Sequence, residues 1–129
     1  MAGEQILIVD DNPANLRLVE FLLSSKGYEV RTAADAPEVI RTLETYHPAL
    51  ILMDIQLPGM DGLTLTRLLK RDPRTCDIMI VAVTAYAMKG DEERALTNGC
   101  DGYITKPIDT RALPAKVSEL MARRAGARP

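Results

Sequence analysis

Apolar runs that each stop at a charge constrain this chain more than any other feature of it. Asp10 and Asp11 close QILIV, Asp54 closes the run Leu50 to Met53, and Lys106 closes GYIT with Pro107 directly behind it. Charges that interrupt hydrophobic runs at the same end are what a parallel sheet leaves exposed at its carboxyl edge. Open α/β sheets bind their ligands in that crevice. The pattern sets three negative charges and one positive charge at a single mouth.

Around these runs the sequence alternates strand and helix five times, without a repeat or a low-complexity segment. Gln5 to Val9 reads as a buried strand. Asn12 caps a helix with Pro13 at its first position, and Gly27 ends it after Lys26. Glu29 to Thr32 is a second strand, nearer an edge. Asp35 and Pro37 open a second helix that runs to about Tyr46, before His47-Pro48 stops it. Leu50 to Met53 is a wholly apolar third strand. The turn Pro58 to Gly62 precedes a third helix ending about Arg71. Ile78 to Val83 is the fourth strand and Asp91 to Asn98 the fourth helix, with Gly99 in the left-handed terminating position. Gly102 to Thr105 is the fifth strand. The last helix starts at Asp109 or Thr110 and ends near Ala122, with Pro114 delaying or bending its first turn. The alternation predicts an α/β fold, a parallel five-stranded sheet covered on both faces by five helices through right-handed crossovers. Residues 1–122 form one domain and 123–129 a short basic tail.

The bulk numbers exclude other classes. A chain of 129 residues is one domain with room for a real core. No apolar stretch approaches the ~20 residues of a membrane span, and no basic-then-apolar signal pattern opens the chain. Cys76 and Cys100 lack CxxC spacing and read as buried reduced thiols of a cytoplasmic protein. The net charge is −2, and without Arg123, Arg124 and Arg128 it is 13 positive against 18 negative, or −5. An acidic body argues against nucleic acid as a direct partner. The arginines read as a solvated helix end that suits the helix dipole.

If the first and third strands are neighbours, Asp10, Asp11 and Asp54 meet. Carboxylates ~5 Å apart repel by roughly 3 kcal/mol per pair at an effective dielectric near 20. Three left bare would raise their pKa values or drive the loops apart. A hard divalent cation relieves this, and all-oxygen donors with open positions suit Mg²⁺. One such aspartate would read as a helix-start acid; three at strand ends do not. Lys106 supplies a point charge for Asp54 or for a phosphoryl oxygen, although alone it would read as a snorkelling surface lysine. An X-Pro bond to Pro107 offers a cis form that would fix the turn. Thr84 closes the fourth strand with a hydroxyl able to donate to a phosphoryl oxygen, an unremarkable residue taken singly.

With these residues in view, ILIVDDNPANLRLV, LILMDIQLPGMDGL and VAVTAYAMKGDEERALTNGCDGYITKPID resemble the bacterial response-regulator receiver domain, the CheY-like family. The resemblance covers about Gln5 to Ala122. The stretch from Val81 to Asp109 is most like single-domain cell-cycle regulators of the DivK type and the receivers of hybrid kinases. The resemblance implies a flavodoxin-like doubly wound sheet in the order 2-1-3-4-5. It implies that Asp54 is the phosphoacceptor, taking its group from a phosphohistidine on a sensor histidine kinase or histidine phosphotransfer protein. Asp11 and Asp54 would ligate Mg²⁺ directly, with the Gln56 backbone carbonyl as a third ligand and Asp10 acting through water. Thr84 and Lys106 would grip the phosphoryl oxygens. Such a domain is a phosphoacceptor that assists its own chemistry rather than an enzyme. Gln56 and Tyr86, two positions beyond Asp54 and Thr84, would tune autodephosphorylation.

The resemblance also implies an output. Thr84 would move toward the phosphate and Tyr103, the aromatic of the fifth strand, would follow. The face of the fourth helix, fifth strand and fifth helix would thereby be biased toward a downstream protein target. In the first helix, Leu16, Leu18, Val19, Phe21, Leu22 and Leu23 spread over about 220°, wider than a buried stripe needs. Part of that arc is expected to be exposed, with Leu16 and Phe21 at its margins. Asn15, Leu16 and Phe21 are thus candidates for docking a helical kinase or phosphotransfer module. His47, the only histidine, reads as an exposed loop residue.

Two other functions fit less well. A Mg²⁺-dependent phosphatase of the haloacid-dehalogenase type needs an aspartate two residues after its nucleophile, where this chain has Gln56. A nucleotide or flavin binder needs a Gly-rich phosphate loop after the first strand, which is missing. Within the receiver reading, a stand-alone regulator and the N-terminal receiver of a larger response regulator or hybrid kinase both fit.

Overall fold

Alternate residues of the central strands enter opposite faces of one sheet, and that alternation builds the protein. The computed structural model describes residues 4–84, 90–105 and 109–127. Its elements are β1 (Gln5–Val9), α1 (Pro13–Ser24), β2 (Glu29–Ala33), α2 (Ala36–Leu43), β3 (Leu50–Asp54), α3 (Gly62–Arg71), β4 (Met79–Thr84), α4 (Asp91–Thr97), β5 (Gly102–Thr105) and α5 (Leu113–Ala127). All strand pairs are parallel, in the order β2-β1-β3-β4-β5. This is the expected doubly wound flavodoxin-like fold.

Leu7, Val9, Ile51, Met53, Ile80 and Ala82 face one way and pack on Val39 of α2, Leu65 and Leu69 of α3 and Ala95 of α4. Their sequence neighbours Ile6, Ile8, Leu50, Leu52, Val81 and Val83 face the other way, onto Val19 and Leu23 of α1 and Val117 and Leu120 of α5. Strands covered on both faces need no polar alternation, which is why they read as unbroken apolar runs.

The helix boundaries follow from capping chemistry. The Asn12 side chain accepts from the amides of Ala14 and Asn15 to start α1, and Gly27 at φ 94° lies beyond its end. Asp35 caps α2 through the Glu38 amide and Asp61 caps α3 through Thr64. Past Leu43, where the α2 helix stops, the Glu44 and Thr45 amides donate only three residues back, to Arg41 and Thr42, and the Tyr46 side chain lies beyond those turns. It is buried, and its hydroxyl donates to the carbonyls of Glu29 at 2.9 Å and Ile6 at 3.3 Å. The α5 helix starts late, at Leu113. Asp109 first closes a turn by accepting from the amides of Arg111 and Ala112. Pro114, with no amide to offer, then falls in the first turn, where none is needed. At its other end α5 continues to Ala127, beyond the expected stop near Ala122.

Three surface expectations change or hold. Leu16 is half-buried against the α1–α5 side of the core, and Leu18 takes its place as the exposed partner of Phe21; they are 44% and 71% exposed. Cys100 is buried as expected, but Cys76 is exposed, on the turn that follows α3. His47 is an exposed loop residue, 3.1 Å from Asp77.

Burial, then the nearby Glu29 carboxylate, push the Tyr46 phenol up to about 12 from its ordinary 10. Above pH ~10 the unfolded chain therefore releases this proton before the folded chain does, so stability falls as pH rises from there toward 12. In an alkaline absorbance titration Tyr46 therefore ionises late, above the ordinary tyrosine range. Tyr46→Phe removes that late step; an unchanged titration contradicts the assignment.

Candidate functional site

The β1–β3 neighbour pair is the point where strand order reverses, and it brings the three aspartates together. The last paired residues there are Val9 and Met53, so Asp10 and Asp54 come next on adjacent strands, with Asp11 one residue on. One carboxylate oxygen from each of Asp10, Asp11 and Asp54 lies within 4.8 Å of the others. Asp10 and Asp54 are buried, at 5% and 3% exposure, whereas Asp11 is exposed.

Local hydrogen bonds orient the two buried acids. Asp54 Oδ1 accepts from the Gln56 amide at 2.9 Å. Asp10 Oδ1 accepts from the Asn12 amide at 2.9 Å, and its Oδ2 from Asn15 Nδ2 at 3.4 Å. Donors placed in this way fix the plane of each carboxylate. The set is all hard oxygen. Mg²⁺–oxygen lengths of about 2.0–2.1 Å place ligand oxygens roughly 3–4 Å apart, a small contraction from the observed span, so the aspartates fit that ion.

Thr84 ends β4 opposite Thr105 of β5, one step beyond the Asp54–Val83 pair, and is 1% exposed. It thus sits at the same sheet edge as the aspartates. Tyr103 of β5 is half-buried and packs on the α2–α3–α4 side of the core. It lines a cavity of ≈ 330 Å³ with Ile104, Leu113 and Lys116 among others. Gln56 is exposed in the loop after β3. Lys106, Pro107 and Tyr86 lie outside the described residues. The side chain of Asn15, a docking candidate by sequence, donates to Asp10.

Gly62 is a site residue that its position in a turn did not reveal. Its amide donates to the Ile55 carbonyl at 3.0 Å. A Cβ here would lie 2.7 Å from Ile55 Cα and closer still to the Asp54 carbonyl oxygen. The first residue of α3 is therefore packed directly on the backbone that carries Asp54.

Comparison with known proteins decides what this edge belongs to. The family description "Response regulator receiver domain" matches residues 6–118. The chain belongs to the response-regulator receiver family. It is 46% identical over 105 residues to the polar-differentiation response regulator DivK of Brucella ovis, spanning 81% of this chain and 85% of that one. The crystal structure of a CheY-like receiver domain protein from Methanospirillum hungatei superposes with a TM-score of 0.89 at 33% identity, covering 98% of this chain and all of that one. The receiver domain of a signal transduction histidine kinase from Syntrophus aciditrophicus gives 0.85 at 32% identity, covering 94% and 92%. The chain is accordingly a phosphorylation-dependent switch of two-component signalling. Receivers bind Mg²⁺ through acidic residues and work with histidine kinases and downstream targets. Among the described residues no helix is long and apolar enough to cross a membrane.

Proposed function

We propose that this receiver accepts a phosphoryl group on Asp54 from a phosphohistidine of a sensor histidine kinase or histidine phosphotransfer protein. The phosphorylated form then acts, in the cytoplasm, on a downstream protein target. The observation that carries the reading is the convergence of Asp10, Asp11 and Asp54 within 4.8 Å at the carboxyl edge of the sheet. A carboxylate oxygen of Asp54 attacks phosphorus as the phosphorus–nitrogen bond breaks, and the imidazole leaves with that electron pair. The Gln56 amide on Oδ1 holds the carboxylate plane during the attack. Burial of Asp54 limits access of water to the acyl phosphate that results.

Asp11, Asp54 and the Gln56 backbone carbonyl would hold Mg²⁺, with Asp10 acting through water. Bound there, the ion supplies positive charge against the transferring phosphoryl oxygens. Thr84 and Lys106 donate to the same oxygens. As the Thr84 hydroxyl turns toward them, Tyr103 follows, its ring bordering the cavity beside β5 and α5. The face of α4, β5 and α5 is thereby shifted between two arrangements, which is how a local charge change reaches a partner.

Stoichiometric uptake of one phosphoryl group from a small phosphodonor, without sustained turnover of p-nitrophenyl phosphate, is the expected behaviour. Catalytic turnover would contradict it. Mg²⁺ should raise the thermal midpoint of the wild type by mass action, a stabilisation of about 2.7 kcal/mol at 100 times the dissociation constant. Asp11→Asn removes a charge from the cluster. In metal-free buffer it should be more stable than wild type, by about 1 kcal/mol after solvent screening, and its midpoint should barely respond to Mg²⁺. Equal responses in the two proteins contradict the ligand assignment.

Docking is read from α1, where Leu18 and Phe21 form an exposed apolar pair one turn apart. A helical module carrying the phosphohistidine would cover it, while Leu16, half-buried at the other margin of the apolar arc, packs on the core. Truncating an aromatic anchor at an interface typically costs more than 1 kcal/mol. Phe21→Ala should therefore slow transfer from the phosphohistidine partner about tenfold, well beyond any effect on a small donor. Parallel rates for both donors would remove Phe21 from the interface.

A further inference from the structure

Asp10, Asn12 and Asn15 close a ring of hydrogen bonds between the end of β1 and the first turn of α1. The Asn12 amide donates to Asp10 Oδ1 at 2.9 Å. The Asn12 side-chain oxygen accepts from the Asn15 amide at 3.2 Å while capping the helix. The Asn15 side chain then returns to Asp10, Nδ2 donating to Oδ2 at 3.4 Å. The two oxygens of Asp10 are thus met by donors from two different residues, which sets the rotation of the carboxylate as well as its direction. Asp10 is 5% exposed and Asn15 half-buried, so solvent is a poor substitute for the missing donor if Asn15 is shortened.

We infer that Asn15 is a positioning residue for the acid cluster: it holds Asp10 from the α1 side so that its carboxylate stays gathered with those of Asp11 and Asp54. An amide suits this role because it carries a donor. An aspartate would bring a fourth negative charge to the group, and a leucine would leave Oδ2 without this donor. The inference rests on the reading of the cluster as a Mg²⁺ site. It gives Asn15 a role different from that of Leu18 and Phe21, which are exposed.

The test is isothermal titration of the full chain with Mg²⁺, wild type against Asn15→Ala, with thermal melts and the ¹H–¹⁵N resonance of the Asn12 amide as companions. Losing a partner that orients a metal-site carboxylate costs about tenfold in affinity. Asn15→Ala should accordingly weaken Mg²⁺ binding by about that factor, shift the Asn12 amide resonance, and slow uptake from a small phosphodonor. An asparagine without this hold would leave Mg²⁺ affinity unchanged on truncation, with a lower melting temperature if its part is purely structural and an equal or higher one if it has none, alanine being the better helix former. That outcome overturns the inference. So does slower transfer from a phosphohistidine partner with Mg²⁺ affinity and small-donor uptake unchanged, which would make Asn15 a docking residue. A wild type that does not bind Mg²⁺ overturns the metal-site reading itself, a result distinct from either of these.

Discussion

Asp54→Asn should take up no phosphoryl group, whether offered a phosphohistidine protein or a small phosphodonor, while the protein stays folded. The substitution keeps the size and planarity of a side chain that is 3% exposed. Its oxygen can still accept from the Gln56 amide where Asp54 Oδ1 does at 2.9 Å. It also takes one charge out of a group of three that lies within 4.8 Å, which relaxes the cluster electrostatically. What disappears is the acceptor: an amide lacks the anionic oxygen that becomes bonded to phosphorus. Loss of a covalent nucleophile commonly costs on the order of 10⁴–10⁶ in rate, so uptake should fall below detection. Intact-mass measurement reads the outcome, and an undiminished adduct on the variant contradicts the assignment of Asp54.

Gly62→Ala should damage both the fold and the site. The added methyl meets the Asp54 carbonyl oxygen and lies 2.7 Å from Ile55 Cα. Both neighbours are backbone, so no flexible side chain can move aside. The start of α3 is tied to the same segment by the Gly62 amide on Ile55. It is also held by the Thr66 hydroxyl, which donates to the Gly62 carbonyl at 2.7 Å. Overpacking of this kind costs about 1–3 kcal/mol or more, a fall in Tm of roughly 5–15 °C for a chain of this size. Relief comes only by shifting the end of β3, and with it Asp54 relative to Asp10 and Asp11, so phosphoryl uptake slows as well. Gly59 is the comparison. A Cβ there meets nothing within 4 Å, and its φ of +80° makes the cost one of backbone strain alone. Gly59→Ala should therefore be the milder change and leave uptake near wild type. Equal melting temperatures for Gly62→Ala and wild type contradict the packing argument.

The strand ends were legible because the physics that buries a strand on both faces also makes its terminal charge conspicuous. Asp10, Asp11 and Asp54 stand out against QILIV and LILM for that reason, and the structure brings all three to one place. The strand order was not legible from spacing, since alternation alone does not say which strands are neighbours; it came with the family resemblance. Thr84 was noticed only as part of a set, and its burial at the end of β4 is a property of the assembled sheet. Periodicity gave the width of the apolar arc on α1 but not its orientation, which is why Leu16 turns partly inward and Leu18 outward. Asn15 reads from the sequence as a docking candidate because nothing in its spacing reports a contact with Asp10. Gly62 needs a neighbour distant in sequence, β3, before its missing side chain means anything. At α5 local chemistry decided both ends. Asp109 and Pro114 delay the start to Leu113, and an alanine- and arginine-rich segment, favourable for helix, carries the end to Ala127.

The most direct test of the central claim is to locate the phosphoryl group itself. The protein is incubated with a small phosphodonor and Mg²⁺, the acyl phosphate is reduced with borohydride, and the peptides are mapped by mass. Reduction of an aspartyl phosphate leaves homoserine in place of the aspartate. The account predicts homoserine at position 54 alone, and none when Mg²⁺ is chelated before the donor is added. Homoserine at another aspartate, or its absence at position 54 in the presence of Mg²⁺, would contradict it.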